Sequence, residues 1–374
     1  MKYFLIAGEA SGDLHASNLM KGLLAEDPLA EFRYWGGDMM KSVGGTLLHH
    51  YKEGAVMGLG DVFSKAGMLL GNIRKCKRDI LEFAPDVLIL IDYPGFNMKM
   101  AKFAHTRGLK VFYYIAPKTW ASRQWRNRSL KRYVDMLYIV FPFEIPYFTK
   151  CGIPFVYKGN PLVEAIDGYE YETLCPDRYI AFLPGSRKGE ISRTLPVCCD
   201  LADRLHADPR YSSYKFIIAG APSRDDADYA AFLKEREDYV SLVYGKTYSV
   251  IKGAEVAVVN SGTASLETAL IGTPQMVCWS TTPFTAFVAR KILRVLDRIK
   301  YVSLGNLIVD SLVFREFLQE DFNVQNIQDE TLRLLQDDAY RSKMLEGYDS
   351  IRKALGHGCA SRAYAEDMIQ RLRG

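Results

Sequence analysis

"FLPGSRKGEI", residues 182–191, repeats halfway along the chain a design already present in "LIAGEASGDLH", residues 5–15. Each is a short apolar run, a loop of small residues, and then a helical pattern, which is how a buried strand turns into a helix. Because the unit begins afresh, the 374 residues read as two α/β domains rather than one. Around the first copy, strands are expected at Tyr3 to Ala7, Phe32 to Trp35, Val87 to Ile91, Lys110 to Ile115, Met136 to Val140 and Phe155 to Tyr157. Around the second they are expected at Tyr179 to Leu183, Lys215 to Ala219, Val240 to Tyr244, Val256 to Asn260 and Gln275 to Trp279. Longer helical patterns between them give βαβ units and parallel sheets. The expected architecture is thus two doubly wound, Rossmann-like domains facing a central cleft, with ligands outside the carboxyl ends of the strands.

The polar stretch "DGYEYETLCPD", residues 167–177, reads as the linker. Domains are expected over residues 1–170 and 171–354, followed by a helix over 355–374 that can pack back on the first domain. Charged residues at 25% and hydrophobic ones at 48% are the balance of a globular protein. A net charge of +4 is too small to announce a nucleic-acid binder. None of the seven cysteines pairs in a CxxC spacing, which favours a reduced, cytoplasmic setting. No signal segment is evident, and no run approaches the ~18 apolar residues of a membrane span. Binding to a membrane surface stays open.

The first loop resembles a phosphate cradle in position, yet Glu9 and Asp13 would repel a pyrophosphate, and GEASGD is not the dinucleotide fingerprint GxGxxG. Ser11 or Asp13 can cap the following helix. No cap requires Glu9, which is suited to accept a sugar hydroxyl's hydrogen bond or its proton. In "LILIDYPGFNMK", residues 88–99, Asp92 stands directly after an apolar strand, where a carboxylate either caps or works; Asn97 caps the next helix or binds a ligand. Gly185, Ser186 and Arg187 read as an anion loop, in which small residues admit phosphate to the amides and Arg187 neutralises charge, or else as a βα turn with a surface arginine. "VVNSGTASLETAL", residues 258–270, offers a second such loop in Ser261, Gly262 and Thr263, with Glu267 placed for ribose hydroxyls. Its bland alternative is a helix cap. Two anion loops favour a nucleotide diphosphate.

Two segments bear on partners. "KTWASRQWRNRSLKRY", residues 118–133, mixes Trp120 and Trp125 with Arg123 and other basic side chains. It suits RNA, anionic lipid head groups, a substrate phosphate, or simply a solvated helix face. Met57, Leu59, Val62, Phe63, Met68, Leu69 and Leu70, with a basic end at residues 74–78, fit a core helix, a membrane-interface helix or a pocket for an acylated ligand. Asp226 and Asp228 form a DxD string in a charged helical stretch, and the histidines show no ligand spacing, so no metal is expected. Rival functions are a UDP-sugar epimerase, a transferase with a soluble acceptor, and a nucleotide-regulated RNA-binding protein.

Taken in order, "AGEASGD", "IDYPGFN", "YYIAPKTWASR", "FPFE", "GNPL", "LPGSRKGEI", "NSGTASLE" and "REFLQ" resemble the lipid-A-disaccharide synthases, glycosyltransferases of the GT-B architecture. The resemblance implies condensation of UDP-2,3-diacylglucosamine with 2,3-diacylglucosamine 1-phosphate, with inversion and release of UDP. No cofactor, metal or nucleic acid is implied, and a homodimer is left open. The implied location is peripheral, on the inner face of the cytoplasmic membrane. Arg187, Ser261, Gly262, Thr263, Glu267, Asn306, Glu316 and Gln319 are implied around the UDP. Ser11, Gly12, Asp13, Asn97, Trp120 and Arg123 are assigned to the acceptor, and the apolar 57–70 residues to its acyl chains or the membrane. The family commonly reads IDAPDFN and GHPL, where this chain has Gly95 and Asn160. With that second carboxylate missing, Asp92 is the expected base and Glu9 the runner-up.

Overall fold

The computed structural model describes residues 1–54, 62–281, 300–356 and 358–374, with the side chains of 54 and 62–66 excepted. The chain forms two compact units, Met1–Glu164 with His357–Gly374, and Ala165–Gly356.

In the first unit, β1 (Lys2–Ala7), β2 (Glu31–Gly36), β3 (Thr46–His50), β4 (Val87–Ile91), β5 (Lys110–Tyr114), β6 (Met136–Ile139) and β7 (Phe155–Tyr157) form one sheet in the order β3-β2-β1-β4-β5-β6-β7. In the second, β8 (Tyr179–Leu183), β9 (Lys215–Gly220), β10 (Val240–Tyr244), β11 (Val256–Asn260), β12 (Gln275–Trp279) and β13 (Glu316–Leu318) are ordered β10-β9-β8-β11-β12-β13. Every pairing is parallel. A parallel sheet covered on both faces needs strands apolar on both sides, which is why β4, β8 and β11 are buried at every position. β3 and β13 are edge strands, half-exposed and mixed in composition, and the sequence expectation did not include them.

Strand order reverses between β1 and β4 in the first sheet and between β8 and β11 in the second. At such a switch point adjacent loops diverge to opposite faces and leave a crevice at the strands' carboxyl ends. The four loops that flank the two reversals are the four motif loops: Gly8-Glu9 after β1, Asp92-Tyr93 after β4, Gly185-Ser186-Arg187 after β8 and Ser261-Gly262-Thr263 after β11.

The helix α1 (Ala10–Glu26) corrects the capping expectation. Its N-cap is Glu9, with no side-chain cap. Asp13 lies inside the helix, 2% exposed, and its carboxylate instead accepts from the amides of Gly37 at 2.8 Å, Met39 at 3.0 Å and Met40 at 3.2 Å. It therefore caps the next helix, α2 (Asp38–Val43), from across the fold with both of its oxygens. Asp13→Ala strands three amides at a helix start and is expected to destabilise the first unit by about 2 kcal/mol. The check is a lower urea midpoint.

The helix Ala360–Arg373 packs on α1 within the first unit. Tyr364 fastens it by donating to the carbonyls of Ile139 at 2.6 Å and Gly159 at 2.8 Å.

Candidate active site

At the first switch point, Asp92 and Tyr93 carry φ values of +42° and +45°. Neither is glycine, so two consecutive left-handed residues each cost about 1–3 kcal/mol unless the surroundings hold them. The holding groups are visible. The Asp92 carbonyl accepts from the Tyr113 hydroxyl at 2.6 Å and the Asn97 amide at 2.9 Å. Asn97 also donates to the carbonyls of Ile6 at 3.3 Å and Ile91 at 3.1 Å. It is completely buried and makes no cap bond to its own helix, contrary to the capping reading. It ties the ends of β1 and β4 together beneath the strained turn.

Asp92 itself is partly buried, and burial raises its carboxyl above the ordinary range; the nearby Lys118 opposes this, while the charge of Glu9 adds to it. Glu9 and Ser11 are exposed. Gly12 is buried, and a Cβ there would meet the Ala7 side chain at 3.4 Å, an ordinary van der Waals contact. At Gly8 a Cβ would lie 2.4 Å from the Tyr93 ring; the missing side chain admits that ring.

The loop after β5 brings up Trp120 and Arg123. Arg123 is exposed with φ +56°, and Ile115, at the strand's end, has φ +63°. Trp120 donates to Glu144 at 3.2 Å and meets the Phe143 ring edge-on at 4.8 Å. Glu144 is 1% exposed and also accepts from the amides of Val140 at 3.2 Å and Phe141 at 3.1 Å. Sequence reading missed it as a functional candidate, although a carboxylate behind two aromatics at a strand end, "FPFE", was the available signal. Met57 and Leu59 lie outside the described residues, as do the side chains of Val62 and Phe63. Met68 is half-buried and Leu69 and Leu70 are exposed on the helix α3 (Val62–Phe83).

At the second switch point, the Ser186 and Arg187 amides donate to one oxygen of Glu190 at 3.1 and 3.2 Å, and the Arg187 guanidinium reaches its other oxygen at 2.8 Å. Three donors converge on one carboxylate, which forms a capping box at the start of the helix Lys188–Ala207. Gly185, with φ +102°, lies against the same Glu190 and leaves no space for a Cβ. Gly262 is the N-cap of Thr263–Ile271 without a side-chain cap bond, so the capping alternative is not realised. Ser261, Gly262 and Thr263 are half-exposed. Burial raises the Glu267 carboxyl to about 7, and a hydrogen bond from Tyr248 at 3.1 Å opposes this.

Asn306 and Glu316 are brought together, but their polar atoms turn inward. The Asn306 amide donates to Glu316 at 2.9 Å and to the Phe314 carbonyl at 2.9 Å, while its oxygen accepts from the amides of Val313 and Phe314. Glu316 further accepts from the amides of Val302 at 2.8 Å and Ser303 at 3.0 Å. The pair lies at the start of β13, where Glu316 is in register with Val277 of β12. Gln319, φ +54°, accepts from the Thr281 amide at 2.8 Å. Among the described residues no cluster of His, Cys, Asp or Glu could hold a metal ion, and no helix is long and apolar enough to cross a membrane.

Solved structures share this architecture. A Staphylococcus aureus MnaA–UDP co-structure aligns with TM-score 0.72 at 14% identity, covering 100% of this chain and 97% of that one. A Neisseria meningitidis UDP-GlcNAc 2-epimerase bound to UDP-GlcNAc gives 0.69 at 13%, covering 99% and 100%. The glycotransferase of kitacinnamycin gives 0.62 at 14%, covering 99% and 98%. At these identities the likeness establishes the fold, which is GT-B-like.

Sequence relatives narrow it. The family model for lipid-A-disaccharide synthetase matches residues 3–368. The lipid-A-disaccharide synthase of Geobacter metallireducens is 36% identical, covering 99% of this chain and 97% of that protein; that of Myxococcus xanthus is 34% identical, covering 99% and 97%. The chain belongs to the lipid-A-disaccharide synthase family and is a glycosyltransferase of lipid A biosynthesis.

Proposed function

We propose that the chain joins UDP-2,3-diacylglucosamine to 2,3-diacylglucosamine 1-phosphate, giving the disaccharide 1-phosphate and UDP, while bound peripherally at the inner face of the cytoplasmic membrane. The observation that carries the site assignment is the placement of Asp92 and Glu9 on either side of the first switch point. Asp92 takes the proton of the acceptor's 6-hydroxyl. The freed oxygen attacks the anomeric carbon of the donor, and the bond to UDP breaks with inversion. Glu9 faces the acceptor, and Trp120 and Arg123 line its approach. In the second unit the Ser186, Arg187, Gly262 and Thr263 amides and the Arg187 guanidinium receive the diphosphate and stabilise it as it leaves. Phosphate takes over the donors that Glu190 satisfies, and Glu267 receives the ribose hydroxyls.

The test is incubation of the purified chain with both lipids and a mass measurement of the product. Conversion of a UDP-sugar without acceptor would favour an epimerase instead. Arg187→Ala is expected to raise KM for the UDP-sugar roughly 10- to 100-fold, the worth of a charged hydrogen-bond set. Unchanged donor kinetics would remove Arg187 from the site.

A further inference from the structure

Beside the strained turn the first unit contains a cavity of about 60 Å³. Its apolar wall is Ile6 at the end of β1, Trp35 at the end of β2, Phe96 and Tyr93 after β4, and Leu69 of α3. The rings form a continuous stack, Tyr93 on Phe96 and Phe96 on Trp35, each with centroids 5.6 Å apart. Gly8 closes the opposite side, and only its lack of a side chain lets the Tyr93 ring sit where it does. Two lining residues are the chain neighbours of the two candidate carboxylates, Gly8 of Glu9 and Tyr93 of Asp92. Whatever occupies the cavity therefore starts within one residue of the reacting groups.

Size decides between occupants. An apolar cavity of about 150 Å³ admits benzene, so one less than half as large cannot enclose a hexose, although His49 and Asn72 in its lining would suit hydroxyls. It can take the end of a hydrocarbon chain, a few methylenes long. Leu69 of α3, 38% exposed, carries the apolar wall out to the surface. Tyr93 is 37% exposed, so its ring is a wall of the cavity that also faces solvent.

We propose that this cavity receives the end of an acyl chain of the acceptor, and that Tyr93 sets the chain length the enzyme accepts. The proposal rests on the reading that the acceptor is an acylated glucosamine phosphate. The test compares wild type, Tyr93→Ala and Tyr93→Phe on acceptors whose acyl chains lengthen by two methylenes at a time. Tyr93→Ala is expected to move the optimum of kcat/KM to longer chains, gaining about fourfold per extra methylene buried. Tyr93→Phe keeps the ring and the wild-type optimum. Identical length profiles in all three, with product formed, would overturn the proposal while leaving the transferase reading intact.

A second measurement does not depend on turnover. A diacylglucosamine phosphate brominated at the chain ends should quench tryptophan fluorescence in the wild type, with most of the quenching lost in Trp35→Phe. Equal quenching in both proteins would place the chain elsewhere and overturn the proposal, whether or not disaccharide is made.

Discussion

Asp92→Asn is expected to lower kcat by about 10²- to 10⁴-fold, the usual contribution of a positioned general base, with KM for both substrates nearly unchanged. Asparagine keeps the size of the side chain and leaves the carbonyl that Tyr113 and Asn97 hold, so the strained turn should persist and only the proton acceptor is lost. The pH profile gives a second readout. Burial, with the Glu9 charge adding and Lys118 opposing, raises the Asp92 carboxyl above the ordinary range. The base works ionised, so activity should climb with pH through that raised value, and the climb should vanish in Asp92→Asn. If Asp92→Asn turns over normally while Glu9→Gln does not, the two carboxylates exchange roles.

The second large effect concerns Glu144. Burial lifts its carboxyl from the ordinary 4.5 to about 7, against the pull of the Phe141 and Val140 amides, Trp120 and Lys118. The folded state therefore holds this proton more tightly than the unfolded chain does. The stability so gained is complete below about pH 4.5 and is lost as pH rises to about 7, by about 3 kcal/mol in all. Glu144→Gln removes the titration. Its single oxygen can serve the two backbone amides, but its amide group then confronts the Trp120 donor, a loss of about 1–3 kcal/mol. Denaturant unfolding should accordingly find Glu144→Gln less stable than wild type at pH 5 and equal to it or more stable at pH 8. A difference that stays constant across that range would show that Glu144 does not titrate there.

Much of the fold was legible because its central strands are written in unbroken apolar runs. Val87–Ile91, Tyr179–Leu183 and Val256–Asn260 have the bounds their sequences imply. Thr46–His50 and Glu316–Leu318 were not legible, since neither is an unbroken apolar run; each is short, partly exposed and carries polar residues. The motif loops flank the two strand-order reversals, but motif position did not indicate what each polar group bonds to. Asp13 has the composition of a local cap, yet its partners lie at Gly37 and Met40, and only the folded chain brings them near. Asn97 likewise spends itself on carbonyls as distant as Ile6. The backbone strain at Asp92 and Tyr93 leaves no trace in composition, because the usual signal for a left-handed residue is glycine, and it is absent at both.

The return of Ala360–Arg373 to α1 bears on how the protein is made. Gly22 meets Ala365 so closely that a Cβ there would lie 3.1 Å from its side chain, and Tyr364 is wholly buried. During synthesis the first unit's strands emerge early, but this covering helix exists only after the whole second unit, Ala165–Gly356, has left the ribosome. At roughly 5–20 residues per second, α1 waits on the order of ten seconds or more with an apolar groove open. The nascent first unit is therefore the species expected to need a chaperone, and a ribosome stalled before residue 360 should present it as an aggregation-prone intermediate.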